Sequence, residues 1–214
     1  MTKILFFCSP IGLGHATRDL AIINQMELES CKVFSGSSAI QFFQRNDIEA
    51  NDVYSPPKFE VQNGKLEKSL KWLWSYYKYY KNCKEISNDI IRKEEPELII
   101  SDEDFASIAV AQERGIRNIV ITDILETKFT TGFGAMVEKK MNKTMQEMLQ
   151  KANRVIIPES GMNQDNIIRT GPIVRKIQKK REEIRKDLDF KNKTVVLCAG
   201  GTEAGKFLIK KTIN

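Results

Sequence analysis

Short apolar runs alternate with amphipathic stretches along most of this chain. Runs of four or five apolar residues, as at Ile4–Cys8 and 98–101, predict buried strands of a parallel sheet. Apolar residues spaced three and four apart, as at 16–26 and 136–151, predict helices. This alternation predicts an α/β fold, a Rossmann-like parallel sheet with helices on both faces. The other predicted strands are 32–35, 48–54, 118–122 and 154–157, with an extended piece at 167–173, and the other predicted helices are 38–45, 64–95, 106–113 and 176–188.

The end of the chain repeats the pattern of its beginning. Residues 194–198 predict a buried strand, residues 199–205 are rich in glycine, and residues 206–213 predict a helix. We therefore expect residues 1–175 to form the first domain and 176–193 to form an interdomain linker and helix. Residues 194–214 are then the first strand, glycine loop and helix of an incomplete, truncated second α/β domain. Because a lone apolar strand cannot pair its backbone, we expect residues 195–198 to be covered by this chain or by a partner.

The composition is that of a soluble globular protein, with 41% hydrophobic and 29% charged residues. The four cysteines include no Cys-x-x-Cys pair and the chain has a single histidine, which argues against a zinc site and a disulfide framework. No apolar stretch reaches the length of about 20 residues that spans a bilayer, and no signal-peptide pattern precedes the first strand. These features predict a cytoplasmic protein.

The charge of the chain is basic, with a formal net charge of +6 and an isoelectric point near 9.0. Such a surface suits anionic lipid, phosphate or nucleic acid, but no nucleic-acid recognition motif is present, so we expect no nucleic-acid partner. In the predicted helix 64–95, lysines such as Lys71, Lys78 and Lys81 lie beside tryptophan and tyrosine. This pattern predicts peripheral contact with a membrane surface. The alternative is a solvated lysine face on an ordinary core helix.

The loop after the first strand carries the clearest candidate chemistry. Gly12 and Gly14 allow a ligand to approach the backbone, and the following helix offers free N–H groups to an anion. His15, the single histidine, lies at this point, where ligands bind in open α/β sheets. A dinucleotide fingerprint is not fulfilled, because Thr17 replaces its third glycine and residues 35–37 contain no acid.

The stretch from Gly12 to Arg18, Gly-Leu-Gly-His-Ala-Thr-Arg, resembles the Gly-x-Gly-His loop that opens the GT-B-fold glycosyltransferases, which include MurG-type enzymes and UDP-sugar transferases. Residues 171–175 are similar to the interdomain linker of that family, and 195–205 to the start of its nucleotide-binding domain. The resemblance implies an inverting transfer of a sugar from a nucleotide-sugar, UDP-linked, to an acceptor hydroxyl. It implies no metal ion or other cofactor.

The resemblance also implies roles for individual residues. His15 is the expected general base, kept neutral by the helix N-terminus, and Asp102, at the end of the strand 98–101, is expected to orient it. The residues expected to bind the acceptor or phosphate are Gly12, Gly14, Arg18 and Asp104, and those expected to bind the donor nucleotide are Gly200, Gly201, Thr202 and Arg175. Two of these have alternatives, since Asp104 also suits a helix N-cap and Arg175 could anchor the linker. A Walker site is not expected, because Phe207 replaces the hydroxyl that would hold magnesium.

Two other functions remain open from the sequence. The chain could be a non-catalytic membrane- or acceptor-binding subunit that needs a separate donor-binding chain, or part of a GT-B-like sugar-nucleotide epimerase. The expected partners are a nucleotide-sugar donor, a lipid-linked acceptor or an anionic membrane, and either a second copy of this chain bound through the tail or a separate C-terminal-domain chain.

Overall fold

The structure, a computed structural model, describes residues 2–26, 28–58, 61–62, 65–66, 69–128, 133–198 and 206–213. Strands and helices alternate along these residues, as the hydrophobic pattern predicts. The strands are β1 Ile4–Cys8, β2 Cys31–Gly36, β3 Ala50–Tyr54, β4 Val61–Gln62, β5 Lys65–Leu66, β6 Leu98–Asp102, β7 Arg117–Ile121, β8 Arg154–Ile157 and β9 Ile167–Arg169. The helices are α1 Leu13–Ile23, α2 Ser38–Gln44, α3 Ser69–Glu94, α4 Phe105–Glu113, α5 Phe133–Lys151, α6 Arg181–Asp187 and α7 Lys206–Ile213, with a short 3-10 turn at Leu28–Ser30.

Seven strands form one sheet in the order β3-β2-β1-β6-β7-β8-β9, and every neighbouring pair is parallel. The predicted fold class is thereby confirmed. The order of the strands reverses between β1 and β6, so the connections that leave these two strands diverge and open a crevice at their carboxyl ends. Ligands of open α/β sheets bind at this kind of position.

The central strand β1 contributes to two cores, one on each face of the sheet. Leu5 and Phe7 pack in the core that includes residues of α3, α4 and α5. Phe6 and Cys8 pack in the core that includes residues of α1 and α2. Because side chains of a strand alternate between its faces, this continuous apolar run places helices on both sides of the sheet.

Several boundaries differ from the sequence prediction. Helix α1 begins at Leu13, so Gly14 and His15 lie in its first turn and not in the preceding loop. Glycine and histidine are poor helix formers, so the sequence pattern predicted a helix only from residue 16. The hairpin of β4 and β5, which precedes α3, was not predicted, and α6 covers only Arg181–Asp187 of the predicted helix 176–188.

The tail differs most from its prediction. Residues 194–198 form no strand with any described part of the chain, and the side chains of Val195, Val196 and Leu197 are 86%, 73% and 47% exposed. Of the expected coverings, that by this chain is not found among the described residues, because neither edge strand of the sheet, β3 or β9, pairs with the tail. Coverage by a second copy or by a partner chain stays a prediction. The glycine-rich residues 199–205 lie outside the described residues. The division into domains stays a prediction.

Among the described helices, none combines the length and the apolar character that crossing a bilayer requires.

A β-bulge gives one test of this packing. The register between β2 and β3 shifts at Gly36, and a Cβ atom there would lie 1.8 Å from the carbonyl oxygen of Tyr54. We expect Gly36→Ala to lower the free energy of unfolding by about 2 kcal/mol or more, because the two backbones must separate. Urea denaturation measures this. As a control, Gly14→Ala has no atom within 4 Å of the added Cβ and should not destabilise the protein. Equal stability of Gly36→Ala and the wild type would contradict this close approach of β2 and β3.

Candidate functional site

A cluster of ionisable side chains lies at the carboxyl ends of β1 and β6. His15, in the first turn of α1, approaches Asp102, the last residue of β6, with 3.1 Å between Nδ1 and Oδ1. The register of the sheet explains this meeting, because Cys8 of β1 pairs with Asp102 and the chain reaches α1 only a few residues later. The two residues predicted to form a base and its orienting acid thus lie together, although they are 87 positions apart.

Arg18 holds the carboxylate of Asp102 from the other side. Its Nε donates to Oδ2 at 2.8 Å, its Nη2 donates to Oδ1 at 2.6 Å, and its Nη1 lies 3.3 Å from Oδ2 of Asp123. Burial alone would raise the pKa of Asp102, but the hydrogen bonds from His15 and Arg18 outweigh burial and lower that pKa. Arg18 was predicted to bind acceptor or phosphate. The structure places it as the counter-ion of Asp102, with part of its surface on the cavity described below.

The pKa of His15 is shifted in the opposite direction from the sequence expectation. Burial lowers the pKa of the imidazole, but the hydrogen bond to Asp102, the charge of Asp102 and the charge of Glu103 outweigh burial and raise that pKa. The helix N-terminus was expected to keep His15 neutral. The carboxyl groups of Asp102 and Glu103 act in the opposite direction and raise the pKa of His15.

One ring nitrogen of His15 is available as a proton acceptor. Nδ1 lies 3.1 Å from Asp102 and 2.9 Å from Nη2 of Arg18, and it cannot donate to the first and accept from the second together. Arg18 already donates twice to Asp102, so the tautomer with Nδ1–H directed at Asp102 leaves each group with a partner. In this tautomer the lone pair is on Nε2.

Glu103 is a site residue that the sequence reasoning missed. Its Oε2 lies 3.5 Å from Nε2 of His15, and its Oε1 accepts from the hydroxyl of Thr122 at 3.1 Å and from the backbone N–H of Asp123 at 3.2 Å. Burial, together with the side chain of Asp123, raises the pKa of Glu103 to about 7. Its backbone is left-handed, with a φ of 54°, which costs about 1 kcal/mol or more for a residue other than glycine. Position in an Asp-Glu-Asp run was the only signal for it in the sequence.

Asp104 lies outside this cluster. Its carboxylate accepts from the backbone N–H groups of Ala106 and Ser107, both at 3.3 Å, and from the hydroxyl of Tyr54 at 2.9 Å. It is the N-cap of α4, the alternative considered from the sequence, and its role toward an acceptor or phosphate stays a prediction. The cause is its position one residue beyond the left-handed turn at Glu103.

A cavity of about 370 Å³ opens beside the cluster. Gly14 lies in its wall, and a Cβ on Gly14 would meet no atom within 4 Å, so the absent side chain leaves room for a ligand. Gly12, with a φ of 82°, ends the loop at the N-cap position of α1. The residues that line the cavity are Gly14, His15, Arg18, Asp123, Pro158, Glu159, Pro172 and Ile173.

Of the four residues predicted to bind the donor, the structure describes one, Arg175. The guanidinium of Arg175 lies over the ring of Phe42, 5.7 Å from its centre, which fits the linker-anchoring alternative for this residue. Gly200, Gly201 and Thr202 lie outside the described residues, so their role stays a prediction.

The spacing of His15, Asp102 and Glu103 bears on metal binding. One donor atom from each lies within 4.8 Å of the others, close enough to contact a common cation. However, Arg18 already occupies both oxygens of Asp102 with a positive charge. A cation would have to compete with that guanidinium, so the arrangement suits proton transfer better than metal coordination.

Asp19, the neighbour of Arg18 on α1, is fully buried. Its carboxyl group lies within hydrogen-bonding reach of Cys8 and Asp102. Burial and the negative charge of Asp102 raise its pKa well above the usual range. The pKa of Asp102 is shifted in the opposite direction, so of the two acids Asp102 ionises more readily.

Comparison with known proteins identifies relatives of the chain. No protein-family model matches it. The chain is 25% identical over 199 residues to a UDP-N-acetylglucosamine–N-acetylmuramyl-(pentapeptide) pyrophosphoryl-undecaprenol N-acetylglucosamine transferase of Clostridium botulinum (strain Alaska E43 / Type E3). The match covers 91% of this chain and 52% of the relative, so the chain spans about half the length of that protein.

Solved structures with the same fold include two sugar transferases. The glycotransferase of kitacinnamycin matches with a TM-score of 0.57 and 12% identity, over 84% of this chain and 54% of that one. The calicheamicin glycosyltransferase CalG4 matches with a TM-score of 0.53 and 12% identity, over 80% and 53%. A UDP-N-acetylglucosamine 2-epimerase matches with a TM-score of 0.50 and 12% identity, over 80% and 48%. Because an epimerase shares it, the fold alone does not separate sugar transfer from epimerisation.

The buried Asp19 gives a test of the charges in this site. Because its pKa is higher in the folded than in the unfolded chain, its contribution to stability declines as the pH rises above about 4, the unfolded value. We expect Asp19→Asn, which stays neutral, to gain stability relative to the wild type by up to about 1.4 kcal/mol per pH unit until the folded carboxyl ionises. Urea denaturation from pH 4 to pH 8 measures the trend. The exposed Asp52→Asn is the control and should show none, and a difference for Asp19→Asn that is independent of pH would contradict this assignment.

Proposed function

We propose that this chain, a GT-B-fold protein of the MurG type that corresponds to the N-terminal half of its glycosyltransferase relatives, forms the acceptor side of an inverting sugar transferase. The observation that carries the proposal is His15 in the wall of the cavity, with the buried carboxylate of Asp102 3.1 Å from its Nδ1. The chain covers only about half of its curated relative, so the complete activity needs a donor-binding half.

The proposed reaction is a single displacement. The acceptor hydroxyl gives its proton to Nε2 of His15, and its oxygen forms a bond to the anomeric carbon of the donor sugar. The bond from that carbon to the diphosphate breaks, and the nucleoside diphosphate leaves with the electron pair. Attack opposite the leaving group inverts the configuration. Asp102 keeps Nδ1 as a donor and stabilises the imidazolium that forms, and Arg18 keeps Asp102 ionised.

For the substrates, we propose a UDP-sugar and a lipid-linked acceptor, as the name of the Clostridium botulinum relative states for that protein. Gly200, Gly201 and Thr202 are proposed to bind the diphosphate of the donor through their backbone N–H groups. No described contact bears on this part of the proposal.

A second candidate is a non-catalytic subunit that works only with a separate donor-binding chain. The exposed side chains of Val195, Val196 and Leu197 favour it, because such a surface is usually covered by a partner, whether a second copy or another domain. The activity test below also addresses this candidate.

We expect residues 1–214 alone to transfer little sugar from UDP-N-acetylglucosamine to a lipid-linked acceptor, because they correspond to about half the length of the relative. Addition of the separately produced C-terminal half of the Clostridium botulinum relative should increase transfer. In that mixture, His15→Gln should lower kcat by about 10²- to 10⁴-fold and Asp102→Asn by a similar factor, because both act on proton transfer.

Radiolabelled sugar in the extracted lipid measures this transfer. Asp52→Asn, at an exposed position on β3, is the matched control and should keep the wild-type rate. Full activity of His15→Gln would refute the proposed base. Robust transfer by the chain alone would refute the need for a donor-binding half.

Helix α3 is the proposed contact with the membrane. Trp74 and Tyr77 stack with ring centres 5.8 Å apart and are 60% and 41% exposed. Lys78 lies over the ring of Trp74 at 5.5 Å, and Lys81 over the ring of Tyr77 at 4.9 Å. Exposed aromatic rings beside lysines suit the boundary between anionic headgroups and acyl chains.

We expect the chain to sediment with vesicles that contain anionic phospholipid, and binding should weaken as salt screens the lysines. Lys78→Glu together with Lys81→Glu should lower binding by about tenfold or more, since each lysine near such a surface contributes about 1 kcal/mol. The control is Lys139→Glu with Lys140→Glu, the same charge change at exposed positions of α5. Equal loss in both double variants would indicate attraction to net charge, and no loss in the α3 variant would refute this surface.

A further inference from the structure

Two consecutive residues, Asp102 and Glu103, face the same imidazole. Consecutive side chains of a regular strand point to opposite faces, so a continued β6 would direct Glu103 away from His15. The left-handed backbone of Glu103 breaks this alternation directly after the strand ends. An unfavourable conformation at a residue that is not glycine persists only where surrounding contacts stabilise it. The side chain of Glu103 makes such contacts.

The carboxyl group of Glu103 is held at one oxygen and directed by the other. Oε1 accepts from the hydroxyl of Thr122 and from the backbone N–H of Asp123. The backbone N–H of Glu103 donates to the carbonyl of Ile121 at 3.1 Å, which ties the turn to β7. Oε2 lies 3.5 Å from Nε2 of His15, the nitrogen that the proposed reaction uses, and the side chain of Asp123 is a further hydrogen-bond partner of this carboxyl group.

We propose that Glu103 is a positioning residue for His15, which fixes the orientation of the ring and shares one proton with Nε2. The part of this inference that concerns catalysis rests on the proposed function. The contact between Glu103 and His15 does not depend on it. With Asp102 on Nδ1 and Glu103 on Nε2, the imidazole is held between two carboxyl groups and cannot rotate without losing both contacts.

The shared proton has a defined place at each step. At rest it lies between Nε2 and Oε2, and transfer to Oε2 leaves a neutral imidazole and a neutral acid. An acceptor hydroxyl then takes the place of Oε2 at Nε2 and gives its proton to that nitrogen, and the proton on Glu103 is released to solvent, so the new imidazolium lies beside a carboxylate. The other charged groups around the ring are Arg18, which is paired with Asp102, and Asp123 at the end of Arg18. The neighbouring Asp19 is buried next to Asp102, which raises its pKa.

The single histidine makes the test direct. The imidazole carbon-bound protons of His15 give one titration curve in an NMR spectrum of the 214-residue chain, with no substrate present. We expect the wild-type curve to have two steps, since strongly interacting groups titrate as a pair. Glu103→Gln should convert it to a single step and lower the pKa of His15 by about half a unit or more, through loss of the facing negative charge.

Two further variants keep the test decisive. Glu103→Asp should retain part of the two-step curve. Thr122→Val removes the hydroxyl that donates to Oε1 and should move the second step to higher pH, and it leaves Glu103 in place should Glu103→Gln fail to fold. Glu113→Gln, at an exposed position at the end of α4, is the matched control and should leave the curve unchanged. A single-step wild-type curve, or an equal curve in Glu103→Gln, would overturn the proposal.

The titration of His15 and the sugar-transfer assay can fail independently of each other. A Glu103-dependent titration of His15 in a protein that transfers no sugar with any donor-binding half would refute the function and keep the pair. Transfer that depends on His15, with a titration that ignores Glu103, would keep the function and refute the pair. In the active mixture, Glu103→Gln should lower kcat more than it changes KM and should shift the acid limb of the pH profile.

Discussion

The arrangement of the site depends on the buried ion pair of Arg18 and Asp102. A lone carboxylate taken out of water costs several kcal/mol, and it would take up a proton rather than remain charged. Two hydrogen bonds from one guanidinium, at 2.8 and 2.6 Å, satisfy both oxygens and keep Asp102 ionised. Only an ionised Asp102 accepts from Nδ1 of His15 and leaves Nε2 free, so the tautomer of His15 follows from this pair.

The same pair joins two distant parts of the chain at the place where the sheet changes direction. The backbone of Asp102 accepts from the N–H of Ser9, directly after β1, and its side chain binds two residues of α1. The loop between β1 and α1 is thus fastened at both ends to the end of β6. This fastening leaves Gly14 in the wall of the cavity, where its small size keeps the space open.

Around this fixed pair, the other acids take different states. Burial and the negative charge of Asp102 raise the pKa of Asp19 well above its usual range. Asp123 stays ionised, because its contacts with Glu103 and Arg18 outweigh partial burial and lower its pKa. Glu103, with a pKa near 7, and His15 are the groups left to exchange a proton near neutral pH. Arg18 thus stabilises the charged forms of Asp102 and Asp123, and His15 and Glu103 are the groups that can exchange a proton. A general base requires such an exchangeable group.

The sequence by itself determined the parallel α/β sheet, the order of most elements, and the proximity of His15 to Asp102. Apolar periodicity specifies strands and helices locally, and strand ends of a parallel sheet meet at one edge. Only the tertiary structure decided the roles of Arg18, Glu103 and Asp104, because a single left-handed residue rotates the chain between Asp102 and Asp104 and no local pattern marks that turn. Tertiary context also decided the conformation of the tail. The apolar run 195–197 becomes a strand only where another strand pairs with it.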